Sequence, residues 1–392
     1  MTENIINLYI HFPFCLKKCS YCDFYSECYD GGKAVVYLSA LNKEIDHYYE
    51  LYPDIKIGTL YLGGGSPNLI GLEQFHALIA KLKSAFDLLS VTEFTVETNP
   101  VGYNSGLFQH LFELGVNRIN VGIQSFNDFE LQILGRIHSV NDSTETLPLL
   151  QGIGFEHVGL DLIYGIPGQT MDSWSESLNH ALNSGIDHLS LYNLSYEEGT
   201  PLFDLLEQGK ISPLDNEIEK RMYLEACRIL EEHGFEHYEI SNWAKPNCES
   251  RHNQAYWEGR RYLGLGPAAH SYDGKSRWWN VRSVDKYIEQ INAGQLPIDS
   301  QEVLTEPDRE IEHLFLRLRT SDGLSRSQFE NLFHIDFSRI IEKLIKLNLD
   351  EEYWIFDGRQ FKLTPGGWFV SDSIIYTILG FIEEIRNDHK KS

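Results

Sequence analysis

The sequence predicts an α/β fold in which strand-then-helix units build a parallel sheet and a small helical appendage follows. Three observations predict it. Six short apolar segments in the first two thirds of the chain are each bounded by Gly, Pro, Asn or Ser, with stretches between them long enough for crossover helices. Polar and glycine-rich residues collect just after those segments, on the face where parallel α/β folds bind ligands. From about residue 307 the pattern changes to amphipathic helices and one hairpin.

The predicted strands are residues 8–12, 59–62, 93–98, 118–124, 157–164 and 188–194. Between the last two lies a helix at 171–183, where Trp174, Leu178, Ala181 and Leu182 recur at helical spacing and Thr170 or Asp172 supplies the cap. A second clear helix covers 217–233, with Ile218, Met222, Ala226 and Ile229 on one stripe. Repeated βα units fit either an open doubly wound sheet or a complete or partial TIM-like barrel. In the last part, Ile311, Leu314, Phe315 and Leu318 mark one helix, and Phe337, Ile340, Ile341, Leu344 and Leu347 another. A hairpin around Asp357-Gly358 completes a winged-helix-like appendage. The polar tail from Arg386 onward is expected to fray. The chain divides into a core over 1–235, a connecting segment over 236–300 and the appendage over 301–392.

Composition narrows the functions. Lys plus Arg is 33 and Asp plus Glu is 57, a formal charge of −24 over 392 residues. A chain this acidic does not grip a polyphosphate by bulk electrostatics, so the appendage is expected to pack or dock rather than bind nucleic acid. With 42% hydrophobic and 12% aromatic residues the chain can build a core. No run reaches the ~18 apolar residues of a membrane span. The first residues lack a secretory pattern, so the expected location is the cytosol, with peripheral membrane contact left open.

Three of the six cysteines, Cys15, Cys19 and Cys22, crowd into eight residues after the first strand, and Cys28 follows. In a chain of this type, clustered cysteines point to metal or redox chemistry rather than a disulfide framework. Three thiolates on one loop can hold three corners of an iron–sulfur cube and leave one iron open. A structural zinc site is the alternative, but its usual second clip is missing.

The Cys-x3-Cys-x2-Cys loop after strand one resembles that of the radical S-adenosylmethionine (SAM) superfamily. The resemblance implies a partial TIM-like (β/α)6 barrel with a [4Fe-4S] cluster on Cys15, Cys19 and Cys22. In that superfamily SAM chelates the open iron, and the reduced cluster cleaves it to a 5′-deoxyadenosyl radical. Further segments follow in the expected order. Gly63-Gly64-Gly65-Ser66 lets backbone groups approach a ligand. Glu97 ends strand three, Gln124 ends strand four, Arg136 can clamp a carboxylate, and Asp161 can take a ribose diol. By resemblance to the anaerobic coproporphyrinogen dehydrogenase branch, SAM contacts are expected from Tyr9, Tyr21, Gly64, Gly65, Ser66, Glu97, Gln124, Arg136 and Asp161.

A second constellation separates the branches. His252-Asn253-x-x-Tyr256-Trp257 resembles the HNxxYW motif of HemW-type heme chaperones, relatives of that dehydrogenase. A neutral imidazole is a good axial ligand for heme iron, and two aromatics can cover a porphyrin face. The resemblance therefore implies heme binding at His252, Asn253, Tyr256 and Trp257, with His270 and His138 as further candidates. The alternative function is oxidative decarboxylation of coproporphyrinogen III to protoporphyrinogen IX. That branch carries a further cysteine two residues after the last cluster cysteine, where this chain has Phe24. It also has a longer extension before the cluster, whereas 14 residues precede Cys15 here. The expected function is thus a heme chaperone that passes heme to acceptor hemoproteins.

Overall fold

The structure, a computed structural model, describes residues 5–100, 105–347 and 352–391. The first four residues and residue 392 of the predicted tail lie outside them. All six predicted strands form: β1 (Ile5–Phe12), β2 (Lys56–Gly64), β3 (Glu93–Thr98), β4 (Arg118–Gln124), β5 (His157–Tyr164) and β6 (His188–Asn193). Helices α1 (Gly31–Leu51), α2 (Leu72–Ala85), α3 (Ser105–Glu113), α4 (Asp128–Ile133), α5 (Val140–Ile153) and α6 (Met171–Asn183) connect them. Thr170 caps α6, accepting from Ser173 N at 3.1 Å.

The strands pair in parallel and in sequence order, each beside its predecessor. A doubly wound sheet would reverse direction at a switch point. The unbroken order decides for the partial (β/α)6 barrel. Alternation along each strand then sorts the side chains. Leu8, Ile10, Leu60, Leu62, Val96, Ile119, Val121, Leu160 and Leu189 are buried on the helix-facing side. The opposite, inner side is polar: Asn7, Thr59, Thr95, Arg118, His188 and Ser190 are all buried there.

Helices α7 (Pro201–Glu207) and α8 (Asn216–Glu232) precede a stretch that does more than connect. The hairpin β7 (Glu236–Glu239) and β8 (Asn242–Ala244) adds antiparallel to β6. After α9 (Arg251–Trp257), strand β9 (Tyr262–Leu265) joins β1 in parallel on the other edge. Strands β10 (His270–Tyr272), β11 (Ser276–Asn280) and, past α10 (Val284–Asn292), β12 (Ile298–Val303) continue as an antiparallel meander. The result is one sheet of twelve strands among the described residues.

The C-terminal part has winged-helix order: α11 (Glu306–Leu318), β13 (Leu324–Ser325), α12 (Arg326–Phe333), α13 (Phe337–Lys346), β14 (Trp354–Phe356) and β15 (Gln360–Leu363). Then follow α14 (Pro365–Phe369) and α15 (Ser371–Lys391), which carries the predicted frayed tail as helix. This part packs on the barrel. The Trp368 indole donates to Leu318 O at 2.8 Å and stands edge-on to His237 at 4.2 Å. His237 in turn stacks on Trp243 at 3.8 Å. Backbone bonds from Ile240 N to Arg319 O (2.9 Å) and Ser321 N to Tyr238 O (3.0 Å) stitch the seam. Among the described residues no helix is long and apolar enough to cross a membrane.

The buried titratable groups set a pH profile for stability. Burial pushes His11, His138 and His252 down to about 4, His237 to about 3, and His188 down as well. Each contributes stability above the unfolded value near 6.5 that is lost as pH falls. Burial lifts the carboxyls of Glu44, Glu97 and Glu239 to about 7, and their contribution is instead lost as pH rises from about 4.5 through 7. Burial lifts the Asp161 carboxyl as well, so five protons stand against four, and stability climbs between about pH 4.5 and 6.5 and slips above it. Denaturant midpoints measured from pH 5 to 8 are expected to peak near pH 6.5, and a monotonic fall from pH 5 upward would contradict the balance.

Candidate cofactor site

Strand β1 ends at Phe12, and the chain turns into a loop held at both of its sides. Phe14 and Cys15 pair in parallel with Glu27 and Cys28. Ser20 Oγ donates to Ile133 O at 2.8 Å, and Ser20 N to Leu134 O at 3.0 Å. The glycine segment after β2 runs alongside: Gly65 N donates to Phe12 O (2.7 Å) and Ser66 N to Phe14 O (2.8 Å). Side chains do not fit there. A Cβ on Gly65 would lie 2.4 Å from Phe14 O, and one on Gly64, whose φ is +99°, 2.3 Å from the His11 ring.

These loops enclose a cavity of about 610 Å³ at the C-terminal ends of the barrel strands. Cys15, Cys19 and Cys22 border it. So do Tyr9, Tyr21, Gly64, Gly65, Ser66, Glu97, Gln124, Arg136 and Asp161, so every residue expected at the cluster and SAM sites meets at one place. The half-buried Glu97 carboxylate accepts from Tyr61 OH at 2.6 Å and from Gly64 N at 2.9 Å. Burial, with the Asp161 charge adding, pushes it up to about 7. Gln124 sits at a bulge in β4 with φ +70°, a conformation that costs a non-glycine residue of order 1–3 kcal/mol. The bulge turns the Gln124 side chain toward the cavity.

The donor set suits a cluster with a zwitterionic nucleoside ligand. Three thiols stand at one place with a guanidinium behind them, since Arg136 Nη1 donates to Cys19 Sγ at 3.4 Å. Burial, with the neighbouring Cys19 sulfur adding, pushes the Cys22 thiol up to about 11, so metal binding there must displace a proton. Arg136 Nε and Asp161 Oδ1 are buried without a hydrogen-bond partner. One is a spare donor for a carboxylate, the other a spare acceptor for a hydroxyl. At the rim Phe24 is 71% exposed.

The HNxxYW residues do not meet this cavity. Helix α9 plugs the opposite end of the barrel, and His252 is 2% exposed there. Thr59 donates its one hydroxyl proton to Asn7 Oδ1 (2.8 Å), so His252 Nδ1, 2.7 Å away, donates to Thr59. Nε2 then accepts from Tyr256 OH at 3.1 Å. Both ring nitrogens are engaged, and the imidazole lies on the Tyr61 ring at 4.9 Å. In this arrangement iron reaches neither nitrogen. Trp257 borders a smaller cavity of about 240 Å³ beside Glu236, Glu239, Glu249 and Glu258. Asn253 donates its backbone N–H to the Ser250 cap at 3.2 Å.

Two residues that the sequence pattern does not single out hold α9 in place. Glu93 and Arg118 form a buried ion pair, Nε to Oε2 at 3.0 Å, each side chain 3% exposed. Glu93 also accepts from Ser250 Oγ (3.2 Å), Arg251 N (3.0 Å) and His252 N (2.9 Å). Arg118 donates to the carbonyls of Cys248 (2.8 Å) and Glu249 (3.1 Å). Both begin predicted strands, where a charge ordinarily marks solvent. At the same end His157, Asp187 and Cys248 gather within 4.8 Å, and His157 Nδ1 lies 2.7 Å from Asp187 Oδ2.

Likeness to known proteins places the chain. Residues 9–181 match the radical SAM superfamily, and residues 304–370 match the HemN C-terminal domain. The solved coproporphyrinogen III oxidase HemN of Escherichia coli superposes with a TM-score of 0.82 over 96% of this chain and 91% of that one, at 23% identity, which speaks to fold alone. The radical S-adenosyl methionine domain-containing protein 1, mitochondrial, of Danio rerio is 32% identical over 95% of this chain and 86% of its own. The heme chaperone HemW of Mycobacterium tuberculosis H37Rv is 33% identical over 95% of this chain and 94% of its own. That of Bacillus subtilis strain 168 is 35% identical over 380 residues, 95% of this chain and 98% of that one. A cysteine-rimmed barrel with a HemN-type appendage, related over almost its whole length to such proteins, belongs to the HemW family of the radical SAM superfamily.

Proposed function

We propose that the protein is a heme chaperone, which binds heme and passes it to acceptor hemoproteins in the cytoplasm, with a [4Fe-4S] cluster and SAM at the barrel mouth. The observation that carries this reading is the near end-to-end likeness to relatives named for that activity, 95% of this chain against 98% of the Bacillus subtilis protein. The exposed Phe24 at the rim agrees with it, because the dehydrogenase branch places a cysteine there. Cys15, Cys19 and Cys22 hold the cluster. Arg136 and Asp161 take the carboxylate and ribose ends of SAM, Glu97 its ammonium, and Tyr9, Tyr21, Gly64, Gly65, Ser66 and Gln124 line its bed. When bound, cluster and SAM together supply one-electron redox chemistry. The barrel core over 1–235 contains this site, and 236–300 and the appendage over 301–392 supply none of its lining residues.

Two assays on one anaerobic, cluster-loaded sample test the function. Ferric heme titration is expected to saturate at one heme per chain. Incubation with coproporphyrinogen III, SAM and reductant is expected to yield no protoporphyrinogen. Steady turnover without heme uptake would reverse the reading in favour of the dehydrogenase.

The SAM assignment carries its own pH test. The Glu97 carboxyl sits at about 7 in the ligand-free chain, so a cationic ligand must first displace its proton. SAM affinity is expected to rise from pH 6 to pH 8, with a slope approaching tenfold per unit below pH 7. Glu97→Gln is expected to weaken SAM by about tenfold, or ~1.4 kcal/mol, and to flatten that slope. Calorimetry at three pH values reads both; a slope unchanged in the variant would remove Glu97 from the site.

A further inference from the structure

His252 offers no open nitrogen, but the sheet offers an exposed imidazole beside the cofactor cavity. His270 starts β10 and is exposed. Its ring stacks on Trp279 of β11, centroids 5.6 Å apart and 26° from parallel. Register puts this pair in line with the cavity. Tyr9 pairs with Gly264, and Tyr262 pairs with Tyr272, so Gly264 faces His270 two residues on; His270 pairs with Trp279. Tyr9, Gly264, His270 and Trp279 thus form one row across four adjacent strands, and aligned residues in a sheet share a face. Tyr9 borders the cavity, so His270 lies two strand spacings, roughly 10 Å, from it on the same inner face. Trp278, one residue away, points to the other side and donates to Tyr48 OH of α1 at 3.2 Å.

Cations stand on the same side. Arg282, 61% exposed as a side chain, donates to Asp23 O at 3.1 Å and pairs loosely with the Asp23 carboxylate at 3.7 Å at the cavity rim. Arg277 lies over the Tyr272 ring at 5.7 Å but already pairs with Glu302 (3.3 Å) and Glu312 (2.7 Å). Partial burial of the ring, with Arg277 and Arg282 adding, holds His270 below its ordinary value, so the imidazole keeps a lone pair at neutral pH. The small cavity beside Trp257 is instead rimmed by carboxylates, which repel the propionates of a porphyrin.

We propose that His270 is the accessible axial ligand for heme, with Trp279 fixing the imidazole's orientation by stacking on it and Arg282 exchanging Asp23 for a propionate. The inference rests on the heme-chaperone reading and places the cargo next to the SAM cavity. The test is an anaerobic ferric heme titration of the cluster-loaded full chain, read by absorption and electron paramagnetic resonance. His270→Ala is expected to weaken heme at least tenfold and to abolish the imidazole-ligated spectrum. Adding free imidazole to His270→Gly is expected to restore that spectrum, which a merely structural role would not allow. Arg282→Glu is expected to weaken heme several-fold without changing the spectrum. A wild-type spectrum and affinity in His270→Ala, or their loss in His252→Ala alone, would overturn the assignment. Failure of the wild type to bind heme would instead remove the reading beneath it.

Discussion

Replacing Cys15, Cys19 or Cys22 with Ala is expected to leave a folded chain that no longer takes up a cluster. The loop does not depend on its thiols. The Phe14–Cys15 bridge, the Ser20 bonds to Ile133 and Leu134, and the Leu202 N bond to Ser20 O (2.8 Å) are all made by backbone or by serine. Half-buried Cys→Ala changes of this kind shift stability by about 1 kcal/mol or less. Losing one of three thiolates, by contrast, leaves two irons of the cube without protein ligands. The other cysteines cannot substitute from where they stand. Cys28 is exposed beside Cys15 without bordering the cavity, Cys227 lies near His237, and Cys248 is beside Asp187 at the other end of the barrel. Iron and acid-labile sulfide after anaerobic reconstitution are expected to fall to background in each of the three variants and to stay at the wild-type level in Cys28→Ala. Full sulfide content in any of the three would refute the ligand set, and a stoichiometric zinc content in the wild type would refute the cluster.

Much of this architecture is legible in the amino-acid sequence alone. The strands at 93–98, 118–124 and 157–164 and the helix at 171–183 form with the bounds predicted, because turn residues and caps fix them locally. The cysteine loop and the strand-end polar residues are readable for a related reason: in a parallel barrel, successive strand ends converge on one mouth, so order along the chain becomes proximity in space. Chain order does not show the polar barrel interior. Thr59, Tyr61, Glu93 and Arg118 sit in short apolar strands, where a single polar residue reads as an edge or a solvent-facing position. Nor does it show that 236–303 extends both edges of the sheet, since strands of three to six residues such as β8 and β10 carry too few alternations to register. His252 illustrates the remaining gap. A histidine among aromatics looks the same in sequence whether its nitrogens are open or held by Thr59 and Tyr256.

Glu93→Ala is expected to cost about 3–5 kcal/mol, the largest stability loss of any exchange considered, because it strands Arg118 as a buried charge without its partner. The same carboxylate accepts from Arg251 N and His252 N, so α9 keeps only its Ser250 cap when Glu93 is removed. Glu93→Gln keeps the shape and part of the capping, and its loss is expected to be smaller. Pairing Glu93→Gln with Arg118→Met removes both charges, and the double variant is expected to be more stable than the sum of the two single losses. The effect reaches the other end of the barrel through one ring. Tyr61 lies on His252 at 4.9 Å and donates to Glu97 at 2.6 Å, so loosening α9 frees the hydroxyl that orients the cavity carboxylate. Glu93→Ala is therefore expected to weaken SAM binding several-fold although it touches no part of that cavity, and to raise amide hydrogen exchange across 250–257. Denaturant titration, exchange and SAM calorimetry on the three variants decide it. A stability change under about 1 kcal/mol would mean that water reaches Arg118 in solution, and intact SAM affinity beside a large stability loss would break the link through Tyr61.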